Sequence, residues 1–265
     1  MKTIADAAFN ALSAKTVQEK IDHTFRGSKA WFDGELASEF NQQAPDRPGR
    51  PAKPELLAPK DMPKRRNAGS DAARIAMLHA IAHIELNAID LAWDIVIRFG
   101  EQMPKEFIND WVKVADDEAR HFEMLDARLK EMDSFYGALP AHDGLWQSAE
   151  NTAHDIMARL AIVPLVLEAR GLDVTPSLIK KFQSAGDQKS VDALEIIYEE
   201  EIEHVRAGQR WFNFLCENQG LNPQEKYQHL VITYFAGNVK PPFNKAARDT
   251  AGFDESFYLP LAKKG

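Results

Sequence analysis

Two short patterns carry the chemistry in this sequence. Glu118 and His121 stand three residues apart, and so do Glu201 and His204. On a helix, that offset places both side chains on one face, where they reach a single metal ion. A further glutamate precedes each pattern by the same interval. Glu85 lies 33 residues before Glu118, and Glu168 lies 33 before Glu201. The chain therefore reads Glu, then Glu-x-x-His, twice.

The surroundings of these glutamates are wrong for a solvated acid. The residues three, four and seven positions from Glu85 are Leu78, Ile81, Ala82, Ala88, Ile89 and Ala92, all apolar. Glu118 has Trp111, Val114, Ala115, Phe122 and Leu125, together with His121. Glu168 has Ala161, Pro164, Leu165 and Leu172, and Glu201 has Leu194, Ile197, Tyr198, Val205 and Gly208 beside His204. Glu203 is the contrast, with Glu199, Glu200, Arg206 and Arg210 around it, a solvated helix face. An unpaired carboxylate in a core stripe costs several kcal/mol or takes up a proton. Two divalent cations would compensate four of them. One Glu from each of two helices and Glu-x-x-His from each of two others is the ligand set of a dinuclear carboxylate site in a helix bundle. Oxygen and nitrogen donors without thiolate suit iron or manganese better than zinc. The plain alternative is a set of satisfied core polar residues.

Positioning these groups requires long helices. Ser70 suits an N-cap for a helix over Asp71–Phe99 closed by Gly100, and Pro104 suits the first turn of the next, which runs to about Asp133. A third helix is expected from Gln147 to Arg170, kinked at Pro164 and broken at Gly171 and Thr175-Pro176. It resumes to Ala185, and the break is placed to open a channel beside Glu168. A fourth follows the Gly186-Asp187 turn to Asn218, and a shorter one runs from Pro223 to near Gly237. The turns near 100 and 186 fall midway between each Glu and its Glu-x-x-His, so antiparallel hairpins bring them level. No alternating strand pattern stands out, and the expected class is all-α. The expected parts are residues 1–70, short helices anchored by Phe9, Leu12, Phe25, Trp31 and Phe32 plus a Pro-rich arm; 71–219, a four-helix bundle; and 220–265, a helix and an irregular tail.

Composition narrows the class. A single cysteine among 265 residues, Cys216, excludes a disulfide framework and a thiolate metal cluster. A formal charge of -8 argues against bulk electrostatic capture of nucleic acid. The arm over residues 44–70 is an exception, with seven Lys or Arg against three Asp or Glu, ending in Lys64, Arg65 and Arg66. It reads either as an extended strap on the domain or, with Lys240, Lys245 and Arg248, as an RNA-binding surface. The longest apolar run, Leu160 to Leu167, has eight residues, whereas a membrane span needs about 20. The expected location is the cytoplasm, without membrane contact.

The segments LHAIAHIELNAIDLAWD, DDEARHFEMLDARL, LEARGLD and EEEIEHVRAGQRW resemble the ferritin-like superfamily of dinuclear iron carboxylate proteins. With RPGRPAKP and PPFNKAARDTAGF they are most similar to a bacterial ferritin-like family known as a domain of unknown function, and more distantly to a ferritin-like tRNA hydroxylase. The resemblance implies a bundle holding two irons (or manganese, or one of each) that reacts with dioxygen. It implies that Glu118 and Glu201 bridge the metals, that Glu85 and His121 complete one shell, and that Glu168 and His204 complete the other. It also implies that Asp117 and Glu200 orient the histidines. Tyr198, one turn before Glu201, is a candidate redox phenol against the commoner reading of a packed core tyrosine. His79 and His83 face away from Glu85 and are expected to be structural or to support the ligands, and His154 is too far along its helix to be a ligand.

The expected function is a non-haem di-iron oxidoreductase that hydroxylates or otherwise oxidises an organic substrate, a modified RNA nucleoside among the candidates. Electrons come from an external donor, since no flavin or nicotinamide motif is visible. The expected assembly is a monomer or small homo-oligomer. The alternatives are ferritin-type iron oxidation without an organic substrate, and a helical binding module with structural metals.

Overall fold

The computed structural model describes residues 1–58, 61–62 and 69–262. Among these residues every regular element is helical. The extended pairings are two isolated bridges, Thr3 with Ala37 and Leu56 with Ala141. The chain divides into two compact units, Met1–Trp146 with Ala185–Ala193, and Gln147–Ser184 with Leu194–Gly265.

The first unit holds α1 (Ile4–Ser13), α2 (Val17–Phe32), α3 (Asp71–Phe99) and α4 (Lys105–Glu131). Thr3 and Thr16 start α1 and α2 with capping boxes, closed by Asp6 and Glu19. The Ser70 hydroxyl accepts the amide of Ala73 and starts α3, as its sequence position suggests. α3 packs along α4, α1 covers α2 and α3, and α2 covers α4. Trp31 is buried, but Phe32, expected as an anchor, is 52% exposed, because it falls on the outer face of α2 at its last residue.

The Pro-rich arm is a strap in its described part. The amide of Gly49 donates to the carbonyl of Leu12 at 2.6 Å, and a Cβ at Gly49 would lie 2.4 Å from the carbonyl of Ala14. Only glycine permits that approach. Arg47 pairs with Asp143, and Arg50 reaches Asn87 at 2.6 Å and Asp90 at 3.4 Å. Arg50 therefore serves the interior, and Arg47 ties the arm down at the surface. Lys64, Arg65 and Arg66 lie outside the described residues.

Between the units in sequence runs α5 (Gly144–Asn151). The second unit holds α6 (Ile156–Ile162), a π-helical stretch (Val163–Glu168), α7 (Ala169–Ser184), most of α8 (Gln188–Gln219), α9 (Pro223–Tyr234), α10 (Lys245–Thr250) and α11 (Glu255–Tyr258). Two expectations fail here. The helix does not run unbroken from Gln147, because Asp155 caps a fresh start at Ile156. Nor does it break at Gly171 or Thr175-Pro176, since α7 continues through both. Pro176 has no amide to give the carbonyl of Leu172, and the side chain of Asn244 supplies the missing donor at 3.1 Å. The distortion lies one turn earlier, in the π-helical stretch containing Pro164. The expected break after Glu168 is thus a continuous helix.

The tail is also more ordered than its prolines suggest. Arg248 on α10 grips Asp173 through two bonds, of 2.8 and 2.7 Å, and lies over the rings of Phe243, Phe253 and Tyr258. Phe253 and Tyr258 are sealed from solvent, so this segment is core.

Helix α3 is the apolar one. Asp71–Gln102 is long and apolar enough to cross a membrane by composition, but 72% of its apolar window is buried inside the protein. That is the burial of a core helix.

Candidate metal centre

α3 and α4 bring three of the six expected ligands together. The Nδ1 of His121 lies 3.3 Å from an oxygen of Glu85 and 3.4 Å from an oxygen of Glu118. Each of the three offers a ligand atom, and these lie within 4.8 Å of one another. Glu118 and His121 are fully sealed, and Glu85 is 3% exposed. Burial, and then the charge of Glu118, push the carboxyl of Glu85 well above the usual range. The hairpin register expected from the 33-residue interval is thus present in the first unit.

The second unit holds the other three. The Nδ1 of His204 lies 3.7 Å from an oxygen of Glu201 on α8, and both residues are buried. Glu168 closes the π-helical stretch and is half-buried. A packing contact sets the register. A Cβ on Gly208 would lie 2.5 Å from Pro164, so α8 touches the π-helical stretch backbone-close. Glu168 is one turn after Pro164 and His204 is one turn before Gly208. Chains joined by the tight turn at Gly186 run antiparallel, which brings these two level.

The donor set fits a divalent metal of the iron or manganese type. It consists of carboxylate oxygens and imidazole nitrogens. Cys216, the sole thiol, is buried, and its pKa is pushed up to about 11, which disfavours a thiolate ligand.

The remaining candidates fall in identifiable places. Asp117 is buried, and its carboxylate pairs with Lys113 and Arg120 on its own helix. Glu200 is half-buried on α8. The Tyr198 hydroxyl accepts a bond from Asn244 at 2.7 Å. His79 and His83 are structural. His79 accepts the amide of Gly137 at 2.9 Å. His83 sits 2.8 Å from the Tyr136 hydroxyl and 3.0 Å from the carbonyl of His142, which pins the loop after α4 onto α3. His154 contacts Tyr234 at 3.1 Å.

Sequence reasoning missed several buried acids, Asp90, Asp94 and Asp173 among them. Asp90 on α3 is fully sealed and faces Lys20 at 2.5 Å. The apolar context of Asp90 was visible in the sequence, but its cation comes from α2, which no local pattern announces.

Most of the chain, residues 13–259, matches a family model described as "Protein of unknown function (DUF455)". A Haemophilus influenzae protein described as "Uncharacterized protein" is 44% identical over 211 residues, covering 77% of this chain and 73% of that one. No solved structure matches. All six expected ligands fall inside the span that the family model matches.

Proposed function

This chain belongs to the DUF455 family, and because that description names no reaction, we propose a function from the two acid–imidazole sets themselves. The protein is a ferritin-like di-iron carboxylate oxidoreductase. Taken together, the set on α3 and α4 and the set on the π-helical stretch and α8 supply twice a Glu and a Glu-x-x-His, the donors that a dinuclear carboxylate site requires. Glu85, Glu118 and His121 would hold metal on one side, and Glu168, Glu201 and His204 on the other. When bound, the two irons (or manganese in either position) would supply dioxygen activation for oxidising an organic substrate, a modified RNA nucleoside among the candidates.

The chain's own residues have defined tasks. The carboxyl of Glu85, held well above its usual range, would ionise when a cation binds, so the site would accept metal with loss of a proton. His121 and His204 donate as neutral imidazoles, and Asp117 and Glu200 hold them in the ligating orientation. Electrons come from a separate donor protein.

The observation that carries this reading is the pair Glu85 and Glu118, two sealed carboxylates that share one imidazole. Two acids so placed repel unless a proton or a cation separates them. Metal analysis after expression with iron supplied tests it. Two irons per chain are expected, with loss on Glu118→Ala or Glu201→Ala. Protein that carries no transition metal would overturn the reading.

A further inference from the structure

The second unit holds a partly open pocket of about 140 Å³ between the π-helical stretch and the segment joining α9 to α10. Leu165, Val166 and Leu167 form one wall, and Phe235, Val239 and Phe243 are among the residues facing it. A dry, apolar cavity of roughly 150 Å³ accepts a benzene-sized ring. The size and the walls therefore suit one six-membered ring or a branched chain of similar bulk.

Charge distinguishes this cavity from a packing defect. Three cations line it, Arg170, Lys240 and Arg248, against one acid, Asp173. Arg248 is committed, since both its bonds to Asp173 are short and the pair is sealed. Arg170 is not. Its Nη1 holds the carbonyls of Lys240 and Pro242 at 3.0 and 2.9 Å and lies 3.4 Å from Asp173. Its Nε and Nη2 make no hydrogen bond among the described residues. The ammonium of Lys240 has no ion pair among them either. The spare donors of Arg170 and the Lys240 ammonium, at the edge of an apolar slot, suit an anionic head on an apolar body. The Asp173 carboxylate next to Arg170 favours a singly charged head over a phosphate dianion.

We propose that this cavity binds a small aromatic carboxylate, with the ring against Leu165–Leu167 and Val239 and the carboxylate at Arg170 and Lys240. The wall it touches is the π-helical stretch, a helix irregularity that recurs at functional sites, and that stretch ends at Glu168. The binding site stands without the metal reading. Only its identification as the substrate pocket, which makes the substrate an arylcarboxylate, rests on that reading.

The test uses the full chain as purified, with methyl-labelled leucine and valine, titrated with benzoate and followed by NMR. Saturable shifts are expected at Leu165, Val166, Leu167 and Val239. Benzyl alcohol, with the ring but no charge, is expected to bind roughly tenfold more weakly. Lys240→Gln, at an exposed side chain, weakens benzoate without changing benzyl alcohol, and Val239→Trp fills the slot and abolishes both. Arg170→Gln is a less clean probe because Arg170 also holds the loop. Metal content is measured on the same sample, so saturable benzoate binding without iron retains the pocket and removes the metal reading. The proposal is overturned if benzoate gives no saturable shift, if benzyl alcohol binds equally well, or if the shifts lie away from the cavity.

Discussion

The ammonium of Lys20 lies 2.5 Å from a carboxylate oxygen of Asp90, and neither side chain reaches solvent. Lys20 also donates to the carbonyl of Ala11 at 2.9 Å, and Arg50 stands 3.4 Å from the second oxygen of Asp90. Burial lowers the pKa of Lys20 and raises that of Asp90, and the attraction between them opposes both shifts. Helix α3 thus buries Glu85 and Asp90, five residues apart, by different means. Asp90 has organic cations. Glu85 has another carboxylate and an imidazole.

Removing the Lys20 cation should be severe. Lys20→Met leaves Asp90 sealed with Arg50 alone and is expected to cost about 3–5 kcal/mol in urea denaturation. Lys20→Met combined with Asp90→Leu should recover a large part of that loss, because no buried charge is left without its partner. If the double variant were as unstable as the single one, packing rather than charge would dominate at this position.

Glu85→Gln should act in the opposite direction on two observables. It removes one of two repelling buried carboxylates. After chelator treatment the variant should be more stable than the parent by at least about 1 kcal/mol, the worth of one pKa unit. The same variant should retain less metal by elemental analysis. A glutamate serving only as a structural hydrogen-bond partner would lose stability and leave metal content unmoved.

The pH response of His83 follows from its burial. Desolvation lowers its pKa from 6.5 to about 4. The carbonyl of His142 can only accept, so Nε2 carries the proton and the Tyr136 hydroxyl donates to Nδ1. The folded state therefore keeps a neutral ring while the unfolded chain binds a proton below pH 6.5. Stability from this group is full above about 6.5 and is lost as pH falls toward 4, by about 3 kcal/mol at most. Denaturation midpoints between pH 7 and 4 should show this slope, and His83→Gln should flatten it.

Gly208 is required by a close approach and not by its backbone angles. A Cβ there would meet Pro164 at 2.5 Å, and the proline ring has no rotamer to escape into. Gly208→Ala is expected to destabilise by about 1–3 kcal/mol. Because the same contact sets Glu168 level with His204, metal retention should fall along with thermal stability.

Asn244 compensates a proline in α7. Its side chain serves the carbonyl of Leu172, which Pro176 leaves without a donor, and the hydroxyl of Tyr198. Asn244→Ala should cost about 1–3 kcal/mol. Pro176→Ala restores an amide in register with Leu172, so the double variant should lose less than the two single losses combined.

How much was legible in the sequence depends on the range of each interaction. The all-helical class, the ends of α3, the start of α4 and the span of α8 followed from caps, prolines and 3.6-residue periodicity. The Glu-x-x-His pairs followed in the same way, since an offset of three becomes a shared helix face whatever the rest of the chain does. The equal 33-residue intervals extended this to the α3–α4 hairpin, where His121 meets both Glu85 and Glu118.

The tertiary structure decided what depends on distant partners. A proline in α7 reads as a break until Asn244, 72 residues from Leu172, supplies the missing donor. A tail rich in proline reads as irregular until Arg248, 75 residues from Asp173, ties it into the core. Asp90 resembles Glu85 and Glu118 by its burial, and Lys20, 70 residues away, together with Arg50, distinguishes it from them. Local periodicity determines which side chains share a face. Which groups neutralise a buried charge is settled by chain segments brought together at long range, and sequence spacing carries no record of that pairing.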